Sequence, residues 1–360
     1  MKTVSLYEKL IRRQIRELKP YRSPCHEYRI KLDLNESPFD LPPEVKEKIL
    51  ARSRELFWQR YHDEFEPPLK RALAGYVGHT EGGVLIGNGS NELIFHSLLA
   101  SVAEGEAVLY PQPSFSLYRQ NVQVLGGRPV AFDLAGDDFS VEPNRVISLA
   151  QELRAAAVVL CSPNNPTGGL VPTADIERIA SAVEALVVVD EAYMHFAEDN
   201  AFRLLKACPN LVLLRTFSKA FCLAGLRFGY LLAAPELAAE IAKVQLPHHV
   251  NFFTQLAALT LLEMPELIGE RVEAIKTGRS YLERELGLLD GVRVYPSQTN
   301  FVLVEFEKIS AQKVFRRLLE RGVLIRDVTG YPGLSRCLRI TVGTDGDNAA
   351  LVLAMREAVG

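Results

Sequence analysis

The 360-residue sequence has no long apolar run, little cysteine and almost no net charge. Its longest uninterrupted apolar stretch, residues 155–161, falls far short of the roughly 18 residues that a membrane-spanning helix needs. Lys and Arg number 41 against 44 Asp and Glu, and this formal charge of −3 predicts no field that attracts nucleic acid. We therefore expect neither a membrane nor a nucleic acid as a partner, and expect small-molecule ligands.

The cysteines are few, scattered and odd in number, without a C-x-x-C pair or a metal-binding spacing: Cys25, Cys161, Cys208, Cys222 and Cys337. This pattern predicts free thiols, a reducing compartment and no zinc site. The histidines include no H-E-x-x-H motif, so no metal is expected. The first twenty residues lack the apolar segment of a secretory signal, and we expect a cytoplasmic protein.

Short apolar runs alternate with helical patterns between residues 84 and 233. The predicted strands are residues 84–86, 107–110, 128–132, 156–161, 186–190, 211–216 and 229–233. Because these runs lack polar alternation, they predict an α/β fold with a mainly parallel seven-stranded sheet and helices on both faces. Helices are expected over 92–102 and 173–183, the second with Thr173 as its N-cap.

From residue 251 onward the pattern changes to long amphipathic segments at 252–263 and 267–286, followed by short apolar runs at 292–294, 301–305 and 338–342. This change predicts a smaller α+β domain. The chain is accordingly divided into an N-terminal arm (1–28), an entrance segment that begins the small domain (29–50), a large ligand-binding domain (51–245) and a C-terminal small domain (246–360). The arm has a helical apolar stripe without a core of its own, so we expect it to pack elsewhere, for example on a partner subunit.

A glycine-rich turn at residues 87–92 follows a predicted strand and opens a helix. Its free backbone N–H groups and the helix dipole favour an anion such as a phosphate. The third glycine of a dinucleotide-binding motif is missing, and no suitable acidic residue stands about 20 residues further on. Two interpretations stay open from this turn alone: a phosphate site or an ordinary strand-to-helix connection.

Three more polar features stand at the ends of predicted strands. The loop at 162–169 has two asparagines between prolines, and Asp190 ends an apolar strand, where a buried carboxylate needs a positive partner. Lys219 follows another strand among aromatic residues, where desolvation lowers a lysine pKa and makes the amine nucleophilic. Arg227 follows eight residues later. Each feature alone also fits a structural role: a rigid turn, a helix cap, a solvated lysine.

Together these four features fit one ligand, pyridoxal 5′-phosphate. Its aldehyde needs a lysine, its pyridine nitrogen a carboxylate, its phenolic oxygen hydrogen-bond donors, and its phosphate a helix N-terminus with an arginine. The carboxyl ends of parallel strands meet at one edge of a sheet, where ligands bind. The sequence therefore predicts a site for this cofactor at that edge.

The chain resembles a fold-type I aminotransferase of the histidinol-phosphate aminotransferase family over nearly its whole length. The motifs that carry this resemblance lie at residues 32–39, 60–61, 87–92, 162–168, 190–193, 218–219, 224–227 and 337–343. The resemblance implies a fold-type I, pyridoxal-phosphate-dependent transferase that forms a homodimer.

Matching positions carry over the family's roles. The resemblance implies that Lys219 binds the cofactor's aldehyde and shuttles a proton, that Asp190 pairs with the pyridinium, and that Tyr193 bonds the phenolic oxygen. The other cofactor contacts it implies are Gly89, Ser90, Asn91, Phe115, Asn165, Thr216, Ser218, Arg227 and, from the neighbouring subunit, Tyr61. The substrate contacts it implies are Arg339, Arg326, Tyr21, Asn35 and Asn165.

Three positions depart from the family pattern. Phe115 is often tyrosine, Asn91 is often aspartate, and His62 replaces a usual proline. Ring stacking at Phe115 and N–H donation at Asn91 survive these changes. We expect His62 to leave the turn that carries Tyr61 less constrained.

The activity that the resemblance implies is amino transfer between L-histidinol phosphate and 2-oxoglutarate, which yields imidazole acetol phosphate and L-glutamate in histidine biosynthesis. Two alternatives keep the cofactor: an aromatic or broad-range aminotransferase and a threonine-phosphate decarboxylase. A third is a regulator that binds the cofactor without catalysis. Such a regulator needs a DNA-binding module, for which the residues before Tyr61 leave too little room.

Overall fold

The computed structural model describes residues 6–20 and 26–360, which form two β-sheets covered by helices. The strands, β1 to β12 in chain order, are Ile30–Leu32, Val84–Gly87, Ala107–Gln112, Arg128–Asp133, Ala157–Cys161, Leu186–Asp190, Leu211–Thr216, Gly229–Ala233, Val292–Tyr295, Phe301–Phe306, Val323–Asp327 and Cys337–Thr341. The α-helices, α1 to α13 in chain order, are Leu6–Leu10, Arg13–Arg16, Pro43–Arg54, Glu66–Val77, Ser90–Ser101, Leu117–Leu125, Pro143–Leu153, Thr173–Ala182, Pro235–Ala242, Phe252–Leu262, Pro265–Gly287, Ala311–Glu320 and Asp345–Val359.

The larger sheet has the strand order β2-β8-β7-β6-β5-β3-β4. Strands β3 to β7 run parallel, whereas β8 pairs antiparallel with both β2 and β7. Successive residues of β6 alternate between two hydrophobic clusters: Val187 and Val189 pack in one, Leu186 and Val188 in the other. Both faces are therefore buried, which explains the uninterrupted apolar run. The predicted α/β class and all seven predicted strands are confirmed, with strand ends that shift by at most two residues.

The smaller sheet has the order β1-β11-β12-β10-β9. Its edge strand β1 comes from the start of the chain and pairs parallel with β11, where Ile30 lies opposite Val323. Sequence analysis predicted β9, β10 and β12 but no strand at β1 or β11. The two amphipathic segments after residue 251 are α10 and α11, as predicted. The domain boundaries at 28/29, 50/51 and 245/246 stay predictions.

One helix start was predicted wrongly. Helix α8 begins at Thr173 itself, and Pro172 occupies the N-cap position, with φ of −53° and ψ of 135°. The Thr173 hydroxyl bonds the Asp199 carboxylate, so it does not cap the helix. A proline in extended conformation ends the preceding loop and leaves the next residue free to enter the helix.

In the part of the N-terminal arm that the structure describes, the chain forms two short helices, α1 and α2. Leu6 and Leu10 are 66% and 67% exposed, so the apolar stripe of the arm lies largely uncovered. Arg12 connects the arm to helix α6, because its Nη2 donates a hydrogen bond to the Val124 carbonyl at 2.7 Å. Within residues 6–20 and 26–360, no helix is both long and apolar enough to cross a membrane.

Candidate active site

A cavity of about 390 Å³ lies at the carboxyl ends of β2, β5, β6 and β7, facing the smaller sheet. Residues from distant parts of the chain converge there because these strands point the same way and end side by side. The predicted site residues that line it are Asn35, Ser90, Asn91, Phe115, Asn165, Asp190, Tyr193, Thr216, Ser218, Lys219, Arg227, Arg326 and Arg339. The structure thus brings together most of the set that sequence analysis selected.

Asp190, the last residue of β6, places a buried carboxylate at the floor of the cavity. Its Oδ2 accepts a hydrogen bond from the Tyr118 hydroxyl at 2.8 Å, and its Oδ1 accepts one from the Ala192 backbone N–H at 3.1 Å. Burial raises the pKa of Asp190 to about 6, although both donors favour the ionised form. Among the described residues, no salt bridge to this carboxylate is found, although the charge of Lys219 also lowers its pKa.

Lys219 follows β7 and points its amine into the same cavity. Nζ donates to the Leu34 carbonyl at 3.0 Å and lies 6.0 Å from the centroid of the Tyr193 ring. Burial and, next in size, the charge of Arg339 lower the pKa of Lys219 to about 7. The predicted desolvation is confirmed: a substantial fraction of this amine is unprotonated and nucleophilic at neutral pH.

The glycine-rich turn forms a cradle of backbone atoms in which an added side chain would collide with its neighbours. Gly89 has φ of +84°, and a Cβ there would lie 2.4 Å from Arg227 Nη2. A Cβ on Gly229 would lie 2.5 Å from the Ser90 backbone nitrogen. Helix α5 begins at Ser90, two residues earlier than predicted, so its first N–H groups face the cavity edge with the positive end of the helix dipole.

A guanidinium and two hydroxyls complete this anion-binding corner. Arg227 Nη1 lies 3.4 Å from the Ser218 hydroxyl, and Nη2 lies 3.4 Å from the Asn88 carbonyl. The Thr216 hydroxyl lies 2.9 Å from that of Ser218 and 3.1 Å from the Phe228 carbonyl. Such a set of N–H and O–H donors around a helix N-terminus suits a phosphate.

Arg339, in the middle of β12, forms the wall opposite this corner. Its Nη1 donates to Asn165 Oδ1 at 2.6 Å and its Nη2 donates to the Asp33 carbonyl, while the buried Nε has no partner among the described residues. Arg326 lies directly across from it on β11. Burial lowers the pKa of Arg339, but a guanidinium stays charged at neutral pH. Neither arginine forms a salt bridge within the described residues, and two adjacent cations suit an anionic substrate group.

Two aromatic side chains define the faces of the cavity. Phe115 is half-buried at the cavity edge and meets the Tyr118 ring edge-on, with centroids 5.5 Å apart. Tyr193 is buried, and its hydroxyl accepts a hydrogen bond from Asn35 Nδ2 at 2.9 Å. Burial raises the pKa of Tyr193, so the phenol keeps its proton.

Tyr61 does not line this cavity. It is 78% exposed, stacks on His248 with centroids 4.3 Å apart, and borders a separate cavity of about 230 Å³. His62 braces the turn that presents Tyr61: its Nε2 contacts the Phe57 carbonyl at 2.9 Å and its Nδ1 contacts the Glu64 carboxylate at 2.7 Å. The His62 side chain therefore constrains the turn that carries Tyr61, although we expected this turn to be less constrained without the usual proline. Tyr21 lies outside the described residues.

Sequence analysis missed several lining residues, above all Tyr118, Tyr331 and Leu34. Tyr331 is half-buried and close enough to Arg339 to raise its pKa. Tyr118 follows Phe115 by three residues, and its N–H bonds the Phe115 carbonyl at 3.2 Å, so the turn that opens α6 carries both rings. The three-residue spacing between these two aromatic residues was the feature of the sequence that could have identified Tyr118. Leu34 lies in the motif at 32–39, but it contributes only its backbone carbonyl, which its side-chain type does not indicate.

These residues fit pyridoxal phosphate by the chemistry of their donors and acceptors. The buried Asp190 carboxylate has no salt bridge to any described residue, Lys219 offers a nucleophilic amine, and the cradle at Gly89 offers N–H donors beside Arg227. Each group matches a functional group of the cofactor that needs it. Within the part of the chain that the structure describes, no group of three or more His, Cys, Asp or Glu side chains is arranged to hold a metal ion.

Comparison with known proteins identifies the family. The model for aminotransferases of class I and II matches residues 28–355, so the chain belongs to this family. Among curated proteins, the histidinol-phosphate aminotransferase of Caldanaerobacter subterraneus subsp. tengcongensis is 38% identical over 352 residues, which cover 98% of this chain and 99% of that protein. That of Chlorobium phaeovibrioides is 42% identical over 328 residues, which cover 91% and 90%.

Solved structures agree with this assignment. Histidinol-phosphate aminotransferase from Sinorhizobium meliloti, in complex with pyridoxal 5′-phosphate, superposes with a TM-score of 0.88 at 27% identity and covers 97% of both chains. L-threonine-O-3-phosphate decarboxylase from Porphyromonas gingivalis has a TM-score of 0.78 at 23% identity, covers 91% of this chain and 98% of that chain, and shows the fold alone. The fold-type I architecture is therefore confirmed.

Proposed function

We propose that this chain is a pyridoxal-phosphate-dependent aminotransferase that transfers the amino group of L-histidinol phosphate to 2-oxoglutarate, a step of histidine biosynthesis. One observation carries the proposal: Lys219, with a pKa of about 7, and a buried carboxylate that forms no salt bridge with the described residues share one cavity, between an anion cradle and two arginines. Curated relatives that cover nearly the full chain at 35–42% identity bear this enzyme's name.

The cofactor would be held at both of its charged ends. The N–H groups of Ser90 and Asn91, with Ser218 and Arg227, would bind its phosphate, supported by the close approach of Arg227 to Gly89 and by the hydroxyl of Thr216. Asp190 would pair with the pyridine nitrogen, and Phe115 would stack on the ring. Asn165 and Tyr193 would bond the phenolic oxygen.

When bound, pyridoxal phosphate supplies an electron sink that stabilises negative charge at the substrate's Cα. Lys219 would hold and move the transferred proton at Nζ, because a pKa near 7 allows the amine both to accept and to release it. Asp190 would remain ionised beside a cationic partner, since an opposite charge lowers a carboxyl pKa that burial alone raises. The burial of Asp190 and Tyr193 would limit the access of water to the reacting groups.

Arg339 and Arg326 would bind the anionic end of either substrate. A planar guanidinium forms paired hydrogen bonds with a carboxylate or a phosphate. The same clamp would thus accept glutamate in one half-reaction and histidinol phosphate in the other. Asn35 and Tyr21 would contribute at the entrance.

A screen of amino donors in the half-reaction tests this proposal. Purified enzyme loaded with pyridoxal phosphate is mixed with each donor, and conversion of the cofactor to pyridoxamine phosphate is followed by absorbance, with carbon dioxide measured alongside. Histidinol phosphate should convert the cofactor fastest. Faster conversion by phenylalanine would instead assign an aromatic aminotransferase, and carbon dioxide release from threonine phosphate would assign a decarboxylase.

We further propose a cytoplasmic homodimer in which Tyr61 reaches the phosphate in the neighbouring subunit. The exposed aromatic side chains Phe57, Trp58 and Tyr61 support this proposal, because a cluster of large apolar residues marks a contact surface. Mixing two inactive variants, Lys219→Ala and Tyr61→Ala, should restore activity in the mixed dimer, where one site keeps both side chains. Absence of any recovery would exclude sharing of the site between subunits.

A further inference from the structure

A closed set of hydrogen bonds joins the smaller sheet to Tyr193. The backbone N–H of Asn35 donates to the Thr341 hydroxyl at 3.0 Å, and this hydroxyl lies 3.1 Å from Asn35 Oδ1. Asn35 Nδ2 then lies 2.9 Å from the Tyr193 hydroxyl. All three side chains are at most 5% exposed, so bulk water does not substitute for any of these bonds.

The direction of these three hydrogen bonds follows from the first of them, in which the donor is the backbone N–H of Asn35. A backbone N–H only donates, so the Thr341 oxygen accepts from it and has its own hydrogen left to give. The acceptor within reach is Asn35 Oδ1. This assignment places the amide nitrogen of Asn35 toward Tyr193, where it donates to the phenol oxygen. The phenol hydrogen therefore points away from Asn35 and is available to the cavity.

The opposite arrangement leaves a buried donor without a partner. With the Asn35 amide turned over, Nδ2 would donate to Thr341, and the threonine hydrogen would have no acceptor within the described ranges. Burying an unpaired hydroxyl is unfavourable. The Asn35 backbone is itself fixed, because Asn300 Nδ2 donates to its carbonyl at 3.0 Å and its φ is +54°.

We infer that Asn35 and Thr341 are positioning residues that make the Tyr193 hydroxyl a hydrogen-bond donor toward the cofactor. This inference rests on the proposed function, and it changes the expected role of Asn35 from an entrance residue to one that acts through Tyr193. Thr341 lies in β12 two residues after Arg339. The same strand therefore carries the arginine proposed to bind substrate and the threonine that sets the direction of the hydrogen bond between Tyr193 and the cofactor.

The expected signature is a shift in the pH titration of the bound cofactor. A donor to the phenolic oxygen stabilises its negative charge and weakens its hold on the neighbouring proton, which lowers the pH midpoint of the cofactor's visible absorbance change. Loss of that donor raises the midpoint. A residue that is only structural would lower the thermal stability without moving this midpoint.

The test compares Thr341→Val, which removes the hydroxyl at nearly constant shape, with Thr341→Ser, which keeps it. Tyr193→Phe sets the full size of the effect, expected to be an upward shift of about one pH unit. Thr341→Val should give a substantial part of this shift and weaken cofactor binding by the cofactor-free protein about fivefold. Thr341→Ser should resemble the unmodified enzyme in both measurements. The double variant of Thr341→Val and Tyr193→Phe should shift no further than Tyr193→Phe alone.

The possible outcomes distinguish failure of this inference from failure of the proposed role of Tyr193. A shift with Tyr193→Phe, but none with Thr341→Val, would overturn the inference and leave the proposed function intact. No shift with Tyr193→Phe would overturn the proposed role of Tyr193 and the inference with it. If Thr341→Val fails to fold, Asn35→Asp replaces it: an acceptor-only side chain would draw the phenol hydrogen toward itself and raise the midpoint, except in the Tyr193→Phe background.

Discussion

The Tyr118 hydroxyl lies 2.8 Å from Asp190 Oδ2 and donates the strongest contact that this buried carboxylate receives. Tyr118 is fully buried, so the bond is shielded from water. Because donation to the ionised form lowers a carboxyl pKa, Tyr118 opposes the effect of burial, which raises the pKa of Asp190 to about 6. The bond also fixes the direction in which the carboxylate faces the cavity.

Removal of this bond should weaken the cofactor site. Tyr118→Phe is expected to lower cofactor affinity about fivefold, equivalent to about 1 kcal/mol, and to raise the pKa of Asp190 above about 6. Fluorescence titration of the cofactor-free protein across pH measures both effects. Tyr230→Phe is the matched control, because Tyr230 is as deeply buried as Tyr118 but lies on β8, outside the cavity. Equal affinity losses in the two variants would contradict a specific role for Tyr118.

Asp190→Asn should reduce catalysis much more than folding. We expect kcat to fall by about 10²-fold or more, since a neutral amide does not stabilise a positive charge on the cofactor ring. The folded pKa of Asp190 is raised from 3.8 to about 6, so the stability of the cofactor-free protein falls as pH rises through that window. The asparagine variant lacks this loss. Its melting temperature relative to the original protein should therefore increase between pH 4 and 7, and a decrease would refute the assigned shift.

The sequence predicted the site residues that lie at strand ends and missed those whose contribution comes from tertiary packing. Asp190 and Lys219 follow apolar strands directly, so the parallel sheet that the hydrophobic pattern predicts already places them together. Leu34 contributes a carbonyl and Thr341 a hydroxyl from a different sheet. Nothing in local spacing indicates such contacts, because they depend on how the two sheets face each other.

Similar physical reasons explain the two strands and the helix start that the sequence analysis did not predict correctly. Strand β11 carries Arg326 and strand β1 is three residues long, so neither shows a long apolar run. The Thr173 prediction failed because a threonine after a proline satisfies the N-cap pattern, whereas the structure gives its hydroxyl another partner. Periodicity identified the buried elements, and local hydrogen bonds decided their ends.

Arg339→Lys should impair substrate binding more than cofactor binding. A lysine provides a point charge in place of a planar fork, so KM for histidinol phosphate and glutamate should rise about tenfold. Cofactor affinity should stay within about twofold, because the guanidinium meets Asn165 and the Asp33 carbonyl and not the phosphate corner. Steady-state kinetics with each donor and a separate cofactor titration measure the two effects. Unchanged KM values would place the substrate clamp elsewhere.

The rate at which the cofactor-free protein captures pyridoxal phosphate should depend on pH in a defined direction. Burial lowers the pKa of Lys219 to about 7, and only the unprotonated amine attacks an aldehyde. The rate should therefore rise about tenfold per unit below pH 7 and level off above it. Stopped-flow absorbance from pH 5 to 10 measures this profile. A rate that keeps rising to pH 10 would indicate a solvated lysine with an ordinary pKa.

The most direct test of the central claim is to locate the covalent attachment of the cofactor. The protein is loaded with pyridoxal phosphate, reduced with borohydride, digested and analysed by mass spectrometry, with Lys219→Ala treated in parallel. We predict one pyridoxyl adduct, on the peptide that contains Lys219, and none in the variant. An unmodified Lys219 peptide, or an adduct on another lysine that persists in Lys219→Ala, would contradict the assignment of this cavity as the active site.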